Sequence, residues 1–222
     1  DSIIKNCRIA SFTSTLAPTF LSLSGSRIQL YNCYIGNITD SSTGIPVILG
    51  LSSLSNSIIK DLIIANCSSA TEDESMDLIR LSNVSQTQFE NLSLVGNTSS
   101  SGLNCINSLF STSQLNNKFY NSYIYKNDAV LGIYATFMYN SGSFSGNIIK
   151  NFNVVGNTAG ATCVPCVFLG NGTSGFSNNI FIENIFKKNS SSGGTCYGFY
   201  FNNTTASQNI ISSNIFAYNS SS

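Results

Sequence analysis

One eleven-residue phrase, written most cleanly as Asn147-Ile-Ile-Lys-Asn-Phe-Asn-Val-Val-Gly-Asn157, returns along the whole chain. Aligned on its middle polar residue, the anchors are Asn6, Asn32, Asp61, Asn91, Asn121, Asn151, Glu183 and Ser213, spaced 26, 29, 30, 30, 30, 32 and 30 residues apart. A fixed period of this length means a repeat architecture, in which each unit packs on its neighbours. Two positions before the anchor stand Ile4, Leu30, Ile59, Phe89, Phe119, Ile149, Phe181 and Ile211. Three positions after it stand Ile9, Ile35, Ile64, Leu94, Ile124, Val154, Phe186 and Phe216. Every one is large and apolar, and most are β-branched or aromatic, which favours strands.

A further apolar stretch lies upstream in each period, for example Val47–Leu51, Asp77–Leu81 and Ile106–Phe110. Each ~30-residue unit therefore holds three short strands between Asn, Ser and Gly turns, with no room for a helix. Such units stack as a coil in which each strand pairs with its equivalent one coil away, at about 4.8 Å. The prediction is an all-β, right-handed, single-stranded parallel β-helix of about eight coils, forming one domain over residues 1–222. A leucine-rich repeat, the main rival, has a shorter period and a leucine/asparagine signature that is absent here.

The repeated Ile-Ile-x-Asn-x-x-Ile phrase resembles that of the right-handed parallel β-helix superfamily with pectin-lyase-like folds, and the resemblance covers the whole chain. That superfamily includes pectate lyases, polygalacturonases, phage tailspikes and long bacterial surface proteins. The resemblance implies the fold and leaves the activity open. Its pectin-degrading members act with calcium-binding acids and a basic residue, or with clustered aspartates.

Neither set stands out here. The chain has no histidine, which removes Ser-His-Asp and Cys-His chemistry and the commonest acid–base group. Its one acidic cluster is Glu72, Asp73, Glu74 and Asp77, followed by Arg80. It reads as a solvated turn, with a calcium or sugar site as the alternative. Asp61, Glu90 and Glu183 fall on different coils, too far apart to act as a pair. The expectation is a protein that is not an enzyme and carries no cofactor, with carbohydrate binding or cleavage as the rival function.

Charged residues make up only 9% of the chain, and Lys+Arg 10 cancels Asp+Glu 10. No basic patch points to nucleic acid, and no apolar run approaches the ~18 residues of a membrane span. A surface this poor in charge resists association weakly. Together with the Asn-, Ser- and Thr-rich composition, this places the chain outside the cell, secreted or surface-exposed. There is no signal peptide, because Asp1 opens inside a repeat unit; the chain is mature or a segment of something longer.

Seven cysteines point to an oxidising compartment. Cys7 and Cys33 occupy equivalent positions in adjacent coils, as do Cys166 and Cys196, so both pairs are disulfide candidates, with Cys67 and Cys105 as spares. Six positions after the anchors, Asn97, Asn127, Asn157, Asn189 and Asn219 are expected to form a hydrogen-bonded ladder, and Asn117, Asn147, Asn179 and Asn209 repeat at another position. Glycosylation sequons in the upstream turns make Asn83, Asn171, Asn202 and Asn203 the modification candidates. Tyr120 and Tyr200 are candidates for an exposed aromatic patch.

The phrase does not degenerate at either end. Ile3, Ile4 and Ile9 begin it; Ile211, Ile215 and Phe216 close it. With no capping helix or charged plug, these six are the expected contacts of a head-to-tail assembly, or of a longer solenoid.

Overall fold

The computed structural model describes residues 1–16, 18–70, 75–108, 113–132, 134–139, 142–164, 167–168, 175–197, 200–201 and 206–221. Among them there is no helix, and every strand pairing is parallel. The chain is a β-solenoid, as the period requires. The column two residues before the anchors runs Ile4, Leu30, Ile59, Phe89, Phe119, Ile149, Phe181, Ile211 with no slip in register. The column three residues after them runs from Ile9 to Phe216 in the same way. These columns are the core, and stacked rings extend them. Phe89 and Phe119 lie 4.5 Å apart at 5°, and Phe186 and Phe216 lie 4.9 Å apart at 9°. Burying one such side chain contributes roughly 1.5–3 kcal/mol.

The coils differ from expectation in how finely they are divided. In the fourth coil the strand segments are Gln88–Glu90, Ser93–Val95, Thr98–Ser99, Leu103–Ser108 and Gln114–Leu115, five rather than three. The cause is a left-handed corner every five residues: Gln86 (φ 49°), Asn91 (54°) and Gly96 (64°). All eight anchors have φ between 49° and 58°. Asn and Gly tolerate this conformation best, and a turn this tight aims every fifth side chain inward. Phe89, Leu94, Ser99 and Gln114 are inward residues of that coil, all buried.

The segments around the anchors, short in the later coils and longer in the first three, stack into one sheet. A second sheet carries the longer upstream strands, including Thr19–Ser26, Val47–Ser55, Met76–Ser82 and Leu103–Ser108. No helix is long and apolar enough to cross a membrane.

Candidate functional site

The asparagines form the ladder that their spacing predicts. Asn97 Nδ2 donates to Asn127 Oδ1 (2.9 Å), Asn127 to Asn157 (3.0 Å), Asn157 to Asn189 (2.8 Å) and Asn189 to Asn219 (3.0 Å). Each backbone N–H in the column donates to the same oxygen, as Asn97 N does to Asn127 Oδ1 at 3.0 Å. The second amide hydrogen returns to a carbonyl one coil back, as from Asn127 to Leu94 at 2.9 Å. The amides of Asn147, Asn179 and Asn209 join in the same manner. A third column, Asn184 to Asn214 (2.9 Å), escaped the sequence reading, although both sit one residue after an anchor. Except at the last coil, where Asn209, Asn214 and Asn219 are half-buried, these amides are buried and bonded on both sides, so they serve packing, and Asn97 and Asn189 are closed to glycosylation despite their sequons. Asn83 is an exposed corner residue whose Oδ1 accepts from Ser113 N at 3.1 Å. Asn171, Asn202 and Asn203 lie outside the described residues.

The disulfide expectation does not hold for Cys7 and Cys33. They are stacked neighbours, as Tyr34 N bonding to Cys7 O (2.9 Å) shows, yet both are thiols, and no disulfide is present among the described residues. In-register stacking sends both Cα–Cβ bonds the same way about 4.8 Å apart, whereas a bridge needs Cβ atoms nearer 3.8 Å and turned together. Cys33 Sγ instead donates to Tyr31 O at 3.2 Å. Burial, the neighbouring Cys7 adding to it, raises the Cys33 thiol, and burial pushes Cys67 up to about 12. Cys196 Sγ donates to Asn189 O (3.5 Å), and Cys166 lies outside the described residues.

Of the acidic cluster, Glu72, Asp73 and Glu74 lie outside the described residues. Asp77 does not sit on a solvated turn. It is fully buried on the second sheet, with Oδ2 2.6 Å from Arg80 Nε and further donors from Asn104 (2.9 Å) and Asn107 (2.9 and 3.0 Å). Burial raises the Asp77 carboxyl above its ordinary range, while Arg80 and the two amides pull the other way. These donors consume the oxygens a calcium ion would need, and no group of three metal-ligating side chains occurs among the described residues. Asn104 and Asn107 were missed in the sequence. They stand 27 and 30 residues after Asp77, which coil register alone would have flagged.

This cluster adjoins a groove. Register places Ser22, Gly50, Arg80 and Asn107 in one column, and Thr19, Val47, Asp77 and Asn104 in the next. Thr19, Ser22, Val47, Gly50, Leu51, Ser52, Arg80 and Ser82 line a cavity of about 200 Å³. Gly50 keeps it open, since a Cβ there would come within 3.0 Å of Thr19 Cγ2. Arg80 belongs to both features. Its Nη2, Asn107 Oδ1 and Ser108 Oγ are buried with no hydrogen-bond partner among the described residues.

On the first sheet, Tyr120 is half-buried and Tyr123 exposed, with the Tyr123 and Tyr125 rings 5.4 Å apart; the side chain of Tyr200 lies outside what is described. At the ends, Ile3, Ile211, Ile215 and Phe216 are exposed, while Ile4 and Ile9 are half-buried against the core.

No family model matches the chain, and no curated protein matches it. Among solved structures, QnrB1, a plasmid-mediated fluoroquinolone resistance protein, aligns over 83% of this chain and 84% of its own at 11% identity and a TM-score of 0.16. PfbA, a surface protein and adhesin of Streptococcus pneumoniae, aligns over 99% and 91% at 9% identity and a TM-score of 0.21. Scores this low carry no argument. The likeness to pectin-lyase-like proteins therefore stays with the repeat phrase and the solenoid, and no family is assigned.

Proposed function

We propose that the chain is a structural β-solenoid of the cell surface or of secreted material, whose coils continue into further coils. These come either from a second copy stacked end to end in a fibre or from the rest of a long, adhesin-like stalk. The observation that carries the reading is that the core columns run unbroken into the outermost coils, where Ile211 is 46% and Phe216 43% exposed and Ile4 and Ile9 are half-buried. An apolar, strand-edged end of this kind favours pairing with another coil. The asparagine columns, bonded from coil to coil, support a scaffold role.

The ladders bear on which form applies. Asn209, Asn214 and Asn219 close the three columns, with their donors on the far side facing the open end. A second copy in register would set Ser2, Cys7 and Phe12 over them, one good acceptor for three columns. A coil with Asn, Ser or Asp at those positions matches better, which favours the stalk.

Electron microscopy and sedimentation of the purified chain test the reading. Concentration-dependent rods, abolished by Ile211→Asp with Phe216→Asp, support stacking between copies. Discrete single particles at every concentration sink the fibre form.

A further inference from the structure

We propose that the open face of the last coil binds a partner polypeptide strand, in parallel, that carries asparagine at every fifth residue, and that side-chain hydrogen bonds select it. The inference rests on the reading that the terminal coils are continued, and it names the chemistry of the strand that continues this one.

The selection follows from a polarity in the three amide columns. At each step the backbone N–H and the side-chain Nδ2 of one asparagine together grip the Oδ1 of the asparagine one coil further on. Asn179 grips Asn209 at 3.0 and 2.9 Å, Asn184 grips Asn214 at 2.9 Å twice, and Asn189 grips Asn219 at 2.9 and 3.0 Å. The other amide hydrogen returns to the coil before, from Asn209 to Phe176 O, from Asn214 to Phe181 O and from Asn219 to Phe186 O. The last coil is therefore left with three forward grips of two donors each, with no acceptor among the described residues. They stand five residues apart along one stretch of chain.

The core adds a second requirement at the same spacing. Two residues after Asn209 and Asn214 come Ile211 and Phe216, 46% and 43% exposed, where their stacked equivalents Phe181 and Phe186 are buried. A recess of about 280 Å³, lined by Cys196, Phe216, Ala217, Tyr218 and Asn219, opens beside them. The face thus reads a carbonyl acceptor followed two residues later by a large apolar side chain, repeated every five residues. Backbone pairing is available to any strand, so the side chains decide which one binds. A strand with leucine at the acceptor positions covers the six donors and leaves them unpaired, the costly outcome.

A second copy of this chain fits poorly, because Cys7 and Phe12 present at best a weak sulfur acceptor to two of the three grips. A matching strand occurs one coil back, where Asn179, Asn184 and Asn189 alternate with Phe181 and Phe186.

The test adds a synthetic peptide of residues 178–191 to the full 222-residue chain and follows backbone amide NMR shifts and hydrogen exchange. Shifts are expected at Asn209, Asn214 and Asn219, whose N–H groups should exchange at least about tenfold more slowly at saturation. Replacing the three peptide asparagines by leucine should weaken binding at least about tenfold, roughly 1.4 kcal/mol. In the protein, Asn214→Ser removes one amide donor yet keeps an acceptor for Asn184 N, as Ser122 Oγ serves Leu92 N at 3.3 Å. That variant should retain the wild-type circular dichroism and bind the asparagine peptide severalfold more weakly. The proposal is overturned if the asparagine peptide does not bind, if the leucine peptide binds as tightly, or if the shifts fall away from the last coil. It is also overturned if the chain forms rods that excess peptide fails to disperse, which would put a second copy on this face. A leucine peptide that binds equally well removes the pairing rule and leaves end-to-end stacking standing, which sedimentation reads separately.

Discussion

The first three coils and the last five use the same corners and the same core columns but different glue. In the early coils the positions one and six residues past the anchor are Cys7 and Phe12, Cys33 and Ile38, then Leu62 and Cys67; in the last coils they are Asn184 and Asn189, then Asn214 and Asn219. The early strands run long, with Ile28–Asp40 continuous over 13 residues, whereas the later ones are cut to three and two. An apolar side chain at these positions leaves its backbone N–H to the strand ladder. An asparagine takes that N–H over, as Asn157 Oδ1 does for Asn127 N at 3.0 Å. One half is held by backbone pairing with an apolar filling, the other by side-chain amides threaded through the core.

Breaking the amide column should give the largest effect. Asn157→Leu strands the N–H of Asn127 and the carbonyl of Ile124, and a loss of about 3–5 kcal/mol in urea unfolding is expected. A loss under 1 kcal/mol would erase the distinction between the halves. Next comes the junction between them, where Asp77 of the third coil meets Asn104 and Asn107 of the fourth. Asp77→Asn removes the partner of a mostly buried guanidinium and should cost about 3 kcal/mol, read in the same way.

In the apolar half, Cys33→Ala only trims a core side chain and should cost about 1–2 kcal/mol. A cost equal to that of Asn157→Leu would show the two fillings to be equivalent. At the corners the halves should respond alike. Asn151→Ala places a Cβ residue without a local hydrogen bond at φ 56° and loses the bond to Asn121, costing about 1 kcal/mol, whereas Asn151→Gly should stay within about 0.5. The smallest effect is chemical. At pH 8 exposed Cys7 should react readily with a thiol reagent, while Cys67, pushed up to about 12 by burial, stays protonated and unlabelled until the protein unfolds.

The period, the two apolar columns and two amide columns could be read directly because each repeats one kind of side chain, apolar or asparagine, at a near-constant distance. The five-residue sub-period was hidden. Its corners are filled by Asn, Asp, Gln, Glu, Gly, Arg, Lys, Ser and Tyr at different points, which share a φ and no chemistry. The Asp77 cluster was hidden for another reason. Its parts lie 27 and 30 residues apart, and the near end of the stretch, Glu72 to Glu74, drew attention to acidity when the outcome for Asp77 is burial. Cys7 and Cys33 misled because adjacency in a column satisfies the Cα distance of a bridge and fails its direction.

The buried amide columns also impose an order in time. The backbone N–H of Asn97 finds its acceptor in Asn127, that of Asn127 in Asn157, and that of Asn157 in Asn189. In each case the acceptor is synthesised 30 or 32 residues later. A coil in this half is therefore unfinished until its successor emerges, and its stability resides in the boundary with the next coil more than in itself. A repeat protein weighted this way folds as one unit and frays poorly. The corner amides run the other way, Asn32 to Asn6 and Asn151 to Asn121, so each new coil is tied to the last at its surface while it seals that coil's interior.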